Sequence, residues 1–418
     1  MEPLRTFTYE PLGPSVDFRL LRISPGANKD DRIIGALQGA DLRSSTNNFH
    51  ALSYCWGGQS FTKEISINGC SFMITPNLHD AMLILRHPTQ DVVIWIDQIC
   101  INQDDEAEKG QQVRLMSRIY EYSRSVPIWL GHIEHPRRTK RILRRLRPAV
   151  EMLPDECYNG QSDIRSEGRL TAKQMSIVNL PSPKSKGWGA LRHLLSAAWF
   201  SRSWIVQEAS MAIEPIFFCS IGMMTWNAIV AVLQVLHIVL PQNMLGCSVE
   251  DIPANIVLDI DRVRRSLKEK KAPDTVNLAL RYKYLGAHDP RDKLYAFSSL
   301  SKQPQQFPIS YGITKEELYC SVAHKAIEDA ARANHEGGKE EHEWHPDPFA
   351  IQGPPSRLMA VLCSAGVANQ SPGSQLPSGL FNPRPTLYGH RGSRSEREEQ
   401  LGTHLQFTNH ASFALVWP

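Results

Sequence analysis

The chain has 418 residues, of which 42% are hydrophobic and 21% are charged, and its formal net charge is +3. This balance is typical of a globular protein. The net charge is too small for an overall electric field that would indicate binding to nucleic acid. The longest apolar run, residues 228–240, is too short to span a bilayer and contains Gln234 and His237. The first residues also lack the apolar segment of a signal peptide. We therefore expect a cytoplasmic protein without membrane attachment, in which this run is a buried helix.

The eight cysteines are scattered along the chain, with no CxxC pair and no spacing typical of a zinc site. A chain of this size does not need disulfides, so we predict free thiols in a reducing compartment. The segment HEWH at 342–345 lacks the HExxH spacing that places two histidines on one helical face. No metal site is predicted.

The first 45 residues are predicted to be irregular, and FRLLRIS (18–24) is their clearest strand. HALSYCWGG (50–58) predicts a strand that ends in a Gly-Gly turn. EISINGCSFMIT (64–75) alternates around Asn-Gly, which is the strongest short-range signal for a hairpin. Thr75 as the N-cap and Pro76 at the first position predict a helix over 75–87.

The segment WIDQICINQDD (95–105) joins an apolar run to an acidic cluster. The run VVIWIDQICI (92–101) predicts a strand buried on both faces. The four acids between residues 104 and 108 precede a helical stripe, so we assign them to the start of a helix rather than to catalysis. VPIWLG (126–131) is the next predicted strand. Alternating strands and helices of this kind favour a doubly wound α/β layer.

A basic run, HPRRTKRILRRLRP, occupies residues 135–148 and contains seven cations and no acid. Ile142, Leu143 and Leu146 give it one apolar edge. Such a run could bind nucleic acid, an anionic membrane or a nuclear import receptor. We favour a solvated amphipathic helix, so nucleic acid is not an expected partner.

Later segments are mainly helical in pattern. Residues 188–212 predict a helix, and EPIFFCSIG (214–222) predicts another strand. In DPRDKLYAFSSL (289–300), Asp289 is the predicted N-cap of a helix. The residues after 330 are polar and rich in proline and glycine, which is typical of partial disorder.

Six segments together resemble the heterokaryon incompatibility (HET) domain of filamentous fungi, and they occur in the order found in that family. They are ALSYCWGG, INGCSFMITPNLHDAMLILR, IWIDQICINQDD with EKGQQVRLMSRIY, VPIWLG, WFSRSWIVQEA and DPRDKLYAFSSL. Two features depart from the family. Cys55 stands where an aliphatic residue is more usual, and the segment after residue 330 resembles nothing in it.

This resemblance implies a role in non-self recognition between fused hyphae, with an incompatibility partner protein and regulated cell death as the outcome. The HET domain is in turn similar to TIR domains, flavodoxin-like modules of which some cleave NAD. The implied fold is α/β, a TIR-like (flavodoxin-like) mostly parallel sheet flanked by helices. The implied organisation is lead-in strands at 1–45, the HET domain at 46–225 with an insertion at 135–187, a helical extension at 226–330 and a partly disordered tail at 331–418.

Trp204 and Glu208 have the W-x-x-x-E spacing that carries the catalytic glutamate in TIR domains. Residues four apart share one face of a helix. A carboxylate there could stabilise the oxocarbenium-like ribose that forms as the nicotinamide bond breaks. The alternative is that Glu208 pairs with Arg202 or another base while Trp204 packs in the core.

Three further residues are predicted near Glu208. Ser53 and Trp56 end the first core strand, where doubly wound folds bind ligands, although Trp56 could equally plug the core. Asp97 either faces the cleft, which we favour, or pairs with an arginine such as Arg202 or Arg291. The prediction is therefore that Glu208 is catalytic and that Ser53, Trp56, Asp97 and Trp204 line a pocket for NAD, a substrate rather than a permanently bound cofactor.

A second hypothesis is a non-catalytic interaction module that forms a homo-oligomer through its TIR-like core. The two hypotheses differ in what they require of Glu208. Convergence of Glu208, Asp97 and Trp56 on one cavity favours an enzyme, whereas an ion pair at Glu208 favours the module.

Overall fold

The computed structural model describes residues 5–336, with gaps at 14–15, 29–30, 59, 152–179, 183, 240–244, 246, 302–306 and 308. Most of the predicted insertion after residue 151 lies outside the described residues. The predicted tail beyond residue 336, with the HEWH segment, lies outside them as well.

The strands of the described part form one six-stranded and one four-stranded sheet. In chain order they are β1 (Phe18–Ile23), β2 (Ile34–Ala40), β3 (His50–Ala51), β4 (Ser53–Tyr54), β5 (Lys63–Ile67), β6 (Cys70–Ile74), β7 (Val92–Trp95), β8 (Val126–Trp129), β9 (Pro215–Cys219) and β10 (Gly222–Thr225).

Helices surround these sheets and make up most of the described residues after 185. They are α1 (Pro76–Leu85), α2 (Asp97–Cys100), α3 (Glu106–Tyr122), α4 (Pro136–Glu151), α5 (Lys186–Leu195), α6 (Ile205–Met211), α7 (Trp226–Val239), α8 (Ile256–Lys268), α9 (Thr275–Arg281), α10 (Asp292–Ser298) and α11 (Lys315–Glu336), with short 3-10 turns at Ala198–Ser201, Val249–Asp251 and Pro253–Asn255. None of the helices in the described ranges is long and apolar enough to cross a membrane.

Local signals in the sequence predict several elements correctly. Asn68 and Gly69 both have positive φ, as a two-residue hairpin turn between β5 and β6 requires. The side chain of Thr75 accepts a hydrogen bond from the backbone N–H of Leu78, and Pro76 begins α1. Residues 228–239 of the apolar run form the greater part of α7, and the side chains of residues 229–236 are buried.

Residues 50–54 connect the two sheets. β3 pairs in parallel with β7, and β4 pairs in parallel with β8, which in turn pairs in parallel with β9. Between them, the N–H of Leu52 donates to the carbonyl of Trp95 over 2.9 Å. The parallel strands thus lie in the order β7, residues 50–54, β8, β9, and their carboxyl ends share one edge.

The predicted α/β class is confirmed, but the sheets are mixed rather than mostly parallel. Of the eight strand pairings in the described part of the chain, four are antiparallel. The difference arises because β1 and β2 form a long hairpin that pairs with β7, and because β5 and β6 add a second hairpin beside β2. On the opposite side, β10 folds back on β9.

The predicted strand over 92–101 is wrong in its second half. β7 ends at Trp95, and α2 begins at Asp97. The apolar residues Ile99 and Cys100 are buried in a helical turn instead of a strand, and Ile101 follows that turn. A short apolar run cannot by its periodicity distinguish these two structures.

A buried ion pair attaches β1 to α3. The guanidinium of Arg19 donates to both carboxylate oxygens of Glu108, over 2.6 and 2.9 Å. Arg19 also donates to the carbonyls of Glu10 and Cys100, and Glu108 accepts from the N–H of Asn102. Since both side chains are less than one-tenth exposed, neither can exchange its partner for water.

We expect Glu108→Gln to reduce the free energy of unfolding by roughly 3–5 kcal/mol, because Arg19 would keep a buried charge without its counter-ion. Glu106→Gln, on the exposed side of the same helical turn, should change it by less than about 1 kcal/mol. Urea denaturation of both variants measures the difference. Equal stability of the two would show that the pair does not hold β1 in place.

Candidate functional site

Four of the five side chains predicted for the site lie near the carboxyl end of residues 50–54. Ser53 is fully buried on β4, and Trp56 is half-buried in the loop that follows. Glu208 reaches β4 from α6, and Asp97 comes from the turn after β7. Parallel neighbours therefore bring distant parts of the sequence to one edge of the sheet.

Glu208 is held in the interior by Ser53. Its carboxylate is 2% exposed and accepts a hydrogen bond from the Ser53 hydroxyl through Oε2. The indole N–H of Trp199 donates to the same hydroxyl over 2.7 Å. Because one hydroxyl can donate once and accept twice, Ser53 links Trp199 and Glu208 in a single chain of hydrogen bonds.

Arg202 faces the other oxygen of Glu208. Its Nη1 lies 3.9 Å from Oε1 of Glu208 and donates to the carbonyl of Tyr54. One-fifth of the Arg202 side chain is exposed, so this cation lies between the interior and the surface. The alternative in which Glu208 faces Arg202 is thus present in the structure.

An interruption in the predicted helix over 188–212 places Arg202. The chain forms α5, a 3-10 turn and α6, and Arg202 between them has extended backbone angles. There the N–H of Ser203 donates to the carbonyl of Gly286, and the N–H of Gly286 donates to the carbonyl of Ser201. This pairing with a distant segment replaces helical hydrogen bonds and explains why the helix is not continuous.

Asp97 binds the loop that follows β4. Its Oδ2 accepts from the indole N–H of Trp56 over 2.9 Å, and its Oδ1 accepts from the N–H of Gln98 over 2.7 Å. Asp97 is half-buried. Both of its carboxylate oxygens therefore have hydrogen-bond donors. It is not a partner of Arg291, whose guanidinium binds Asp289 instead.

The loop after Trp56 needs glycine. Gly57 and Gly58 have backbone φ angles of 74° and 113°, which residues other than glycine rarely adopt. Asn77 fixes the start of the loop, since its amide donates to the carbonyl of Cys55 over 2.5 Å and accepts from Trp129 over 2.8 Å. Both glycines are exposed, so backbone rather than side chains faces the solvent beside Trp56.

The positive charge of Arg202 acts on the carboxyl groups of both Glu208 and Asp97. Burial raises the pKa of Glu208 to about 7, although Arg202 and the Ser53 hydrogen bond act in the opposite direction. Burial also raises the pKa of Asp97, against the effects of Arg202 and Trp56. For Arg202, burial lowers the pKa, but Glu208 and Asp97 raise it on balance.

Two tyrosines complete the buried side of the cluster. Burial raises the pKa of the Tyr54 hydroxyl, which faces Asp97, well above its usual value, and the Asp97 charge adds to the effect. Burial raises the pKa of Tyr120 in the same way, and its hydroxyl donates to the carbonyl of Leu52. Both phenols therefore remain neutral hydrogen-bond donors at physiological pH.

Trp204 is the N-cap residue of α6, and its indole lies near Asp292 of α10. Burial raises the pKa of Asp292, against the effects of the Tyr311 hydroxyl, which donates to it over 2.7 Å, and of the Trp204 indole. The aromatic side chain linked to Glu208 is Trp199, which the sequence did not single out. Trp199 lies in an aromatic stretch, WFSRSW, where no spacing distinguishes a site residue from a core residue.

The cluster combines a carboxyl group that titrates near neutrality with a serine, an arginine and a half-buried tryptophan. Such groups could bind hydroxyls and stabilise positive charge. Both oxygens of Glu208 are directed at protein groups in this arrangement, so a ligand would have to displace Ser53 or Arg202. Across the described ranges, no three His, Cys, Asp or Glu side chains lie close enough together to hold a metal ion.

Comparison with known proteins places the cluster in a family. Residues 49–208 match the family described as heterokaryon incompatibility protein (HET). Heterokaryon incompatibility protein 6, OR allele, of Neurospora crassa is 28% identical over 240 residues, which are 51% of this chain and 35% of that protein. The chain thus spans about a third of the length of this relative. No solved structure is significantly similar to the chain.

The family match starts one residue before β3 and ends at Glu208. It therefore contains Ser53, Trp56, Asp97, Arg202 and Glu208 together. The match and the relative agree with the order of motifs along the sequence. Residues 49–208 therefore match the heterokaryon incompatibility (HET) family, and that stretch contains the whole cluster.

Proposed function

We propose that this chain acts in fungal heterokaryon incompatibility, where it signals regulated cell death after hyphae of different genotype have fused. The observation that carries the proposal is the family match, which covers the whole cluster from Ser53 to Glu208. The name of the Neurospora crassa relative refers to the same process for that protein. In this role the chain would respond to an incompatibility partner protein in the cytoplasm.

The order of parallel strands supports a TIR-like core. Numbered along the chain, the strands at 50–54, 92–95, 126–129 and 215–219 lie in the spatial order second, first, third, fourth. Flavodoxin-like folds share this order and bind ligands where it reverses, at the carboxyl ends of the strands. Ser53 and Tyr54 occupy that position here.

Within this proposal, NAD is the substrate and Glu208 is the catalytic carboxylate. Ser53 and Asp97 would bind ribose hydroxyls, and Trp56 would stack on a base. Trp204 would act indirectly, since its indole, at the start of α6, lies near Asp292. Cleavage requires that Glu208 exchange the Ser53 hydroxyl for the ribose, so the arrangement described here is a resting one.

One observation favours the second candidate, a non-catalytic module that self-associates. Glu208 is 2% exposed and faces Arg202, as a structural ion-pair residue would. In that case the cluster stabilises the crossing of β4 and α6, and signalling depends on surfaces outside it. The experiments below separate the two candidates.

Expression of the chain from an inducible promoter in a filamentous fungus should slow growth and admit a vital dye into hyphae. The reason is that signalling by catalysis or by self-association rises with concentration. Unchanged growth and viability, with the protein present at a high level, would contradict the role in incompatibility.

Purified protein should release nicotinamide from NAD, and Glu208→Gln should reduce the rate by roughly 100-fold or more, as expected for loss of a carboxylate that stabilises the positive charge developing on the ribose. The assay is run at low and high protein concentration, since a site shared between protomers would need association. Glu121→Gln, an exposed change on α3, is the matched control and should keep full activity. No release at either concentration by folded wild-type protein would favour the non-catalytic module.

The stability of the protein should fall as the pH rises from 5 to 8, in part because of Glu208. Its pKa is about 7 in the folded protein, above the ordinary 4.5, so its protonated form favours the folded state. That contribution is complete below the unfolded pKa and is lost as the pH passes the folded pKa. Glu208→Gln cannot ionise and should lose less stability over this range, by on the order of 3 kcal/mol.

Urea denaturation at pH 5 and pH 8 measures this difference. Glu121→Gln should follow the wild type at both pH values. An identical pH dependence for wild type and Glu208→Gln would mean that Glu208 is ionised throughout.

A further inference from the structure

Helix α4 concentrates positive charge. It contains seven basic residues and one acid, Glu151, so it carries +6, whereas the whole chain carries +3. The remainder of the chain is therefore slightly acidic. The basic character of the protein lies on this one helix.

The opposite face of α4 is fixed inside the protein. It packs against α5 and α7. The side chains that it buries are Thr139, Ile142, Leu143, Leu146, Ala149 and Val150. Because this apolar face is buried, the orientation of the helix is fixed, and its arginines face the solvent.

Five of these arginines have no counter-charge. Arg137, Arg138, Arg141, Arg144 and Arg145 are exposed, and none forms an ion pair with an acid of the described part of the chain. Arg147 differs, since it pairs with Glu151 over 2.7 Å. An ordinary solvated helix intersperses acids among its bases, and this face does not.

We propose that this exposed face of α4 binds the phosphate backbone of a nucleic acid, without reading its sequence. Arg137, Arg141 and Arg144 lie three or four positions apart and form a row along the helix. Neighbours of this kind are separated by roughly 5–6 Å, so the row can contact several phosphates of one strand. Guanidinium groups bind phosphate oxygens in pairs, which suits arginine better than lysine.

The composition of the face favours nucleic acid over a membrane. Helices that bind bilayers insert an apolar face between the lipids, and the apolar face of α4 is buried against α5 and α7. The large exposed apolar side chains of the described residues are all on other elements. The sequence alone favoured a solvated helix. The structure adds that no acid from the other described elements forms an ion pair with these five arginines.

The test is the fluorescence anisotropy of a labelled 20-base-pair DNA duplex of arbitrary sequence, measured with the full chain at several salt concentrations. The test variant carries Arg137→Gln, Arg141→Gln, Arg144→Gln and Arg145→Gln. The control variant carries Arg22→Gln, Arg32→Gln, Arg43→Gln and Arg124→Gln, which remove the same charge from exposed positions elsewhere.

We expect wild-type affinity to fall steeply with salt, and the test variant to bind at least about tenfold more weakly at low salt. Its slope of log affinity against log salt should be smaller by about 3 to 4, since each duplex phosphate contact contributes about 0.9. The control variant should keep most of the wild-type slope. If the test variant does not fold, Arg141→Gln with Arg145→Gln should reduce the slope by about half as much.

Two results would overturn the proposal. One is an equal loss of affinity in the test and control variants, which would mean that only net charge matters. The other is binding of wild type to phosphatidylserine vesicles but not to the duplex, which would assign the face to a membrane. Neither result depends on whether the protein cleaves NAD.

Discussion

The rest of the site depends on the burial of one carboxyl group, that of Glu208. A carboxylate removed from water must be neutralised or paired, and here Ser53 and Arg202 provide the partners. Each partner imposes its own condition on the fold. Ser53 requires that residues 50–54 cross between the two sheets, and Arg202 requires an extended break before α6, which Gly286 secures through the backbone.

The same constraint places α6 at the centre of the molecule. Residues 205–210 are all buried, and α3, α8 and α10 pack against this short helix. Trp204, at its start, lies near Asp292 of α10. The DPRD segment, far along the sequence, therefore packs beside the helix that carries Glu208.

The sequence predicts those parts of the fold that are set by local chemistry. The Asn68–Gly69 hairpin and the Thr75 cap follow from backbone preferences of a few neighbouring residues. The break at Arg202 and the turn at Asp97 do not, because hydrogen bonds to distant segments decide them. The antiparallel pairing of β1 with β2 and with β7 was missed for a related reason: nothing in β1 indicates which strand will lie beside it.

In the site as well, the sequence predicts what depends on neighbouring residues and misses what depends on distant ones. Ser53, Trp56, Asp97 and Glu208 were found from their positions after strands and from a family spacing, and the structure places them around one arginine. Trp199 could not be found, since its link to Ser53 exists only once β4 and the 3-10 turn have met. Trp204 has the right spacing, but its indole lies near Asp292. Spacing along one helix does not reveal a partner on another.

Carbon-13 NMR of glutamate carboxyl groups can show whether buried Glu208 becomes available to a ligand, with its signal assigned by its loss in Glu208→Gln. We expect this signal to titrate near pH 7 and to shift when NAD is added to concentrated protein. A signal that titrates near pH 4.5 and is unaffected by NAD would mean that Glu208 is an ordinary carboxylate that binds no NAD.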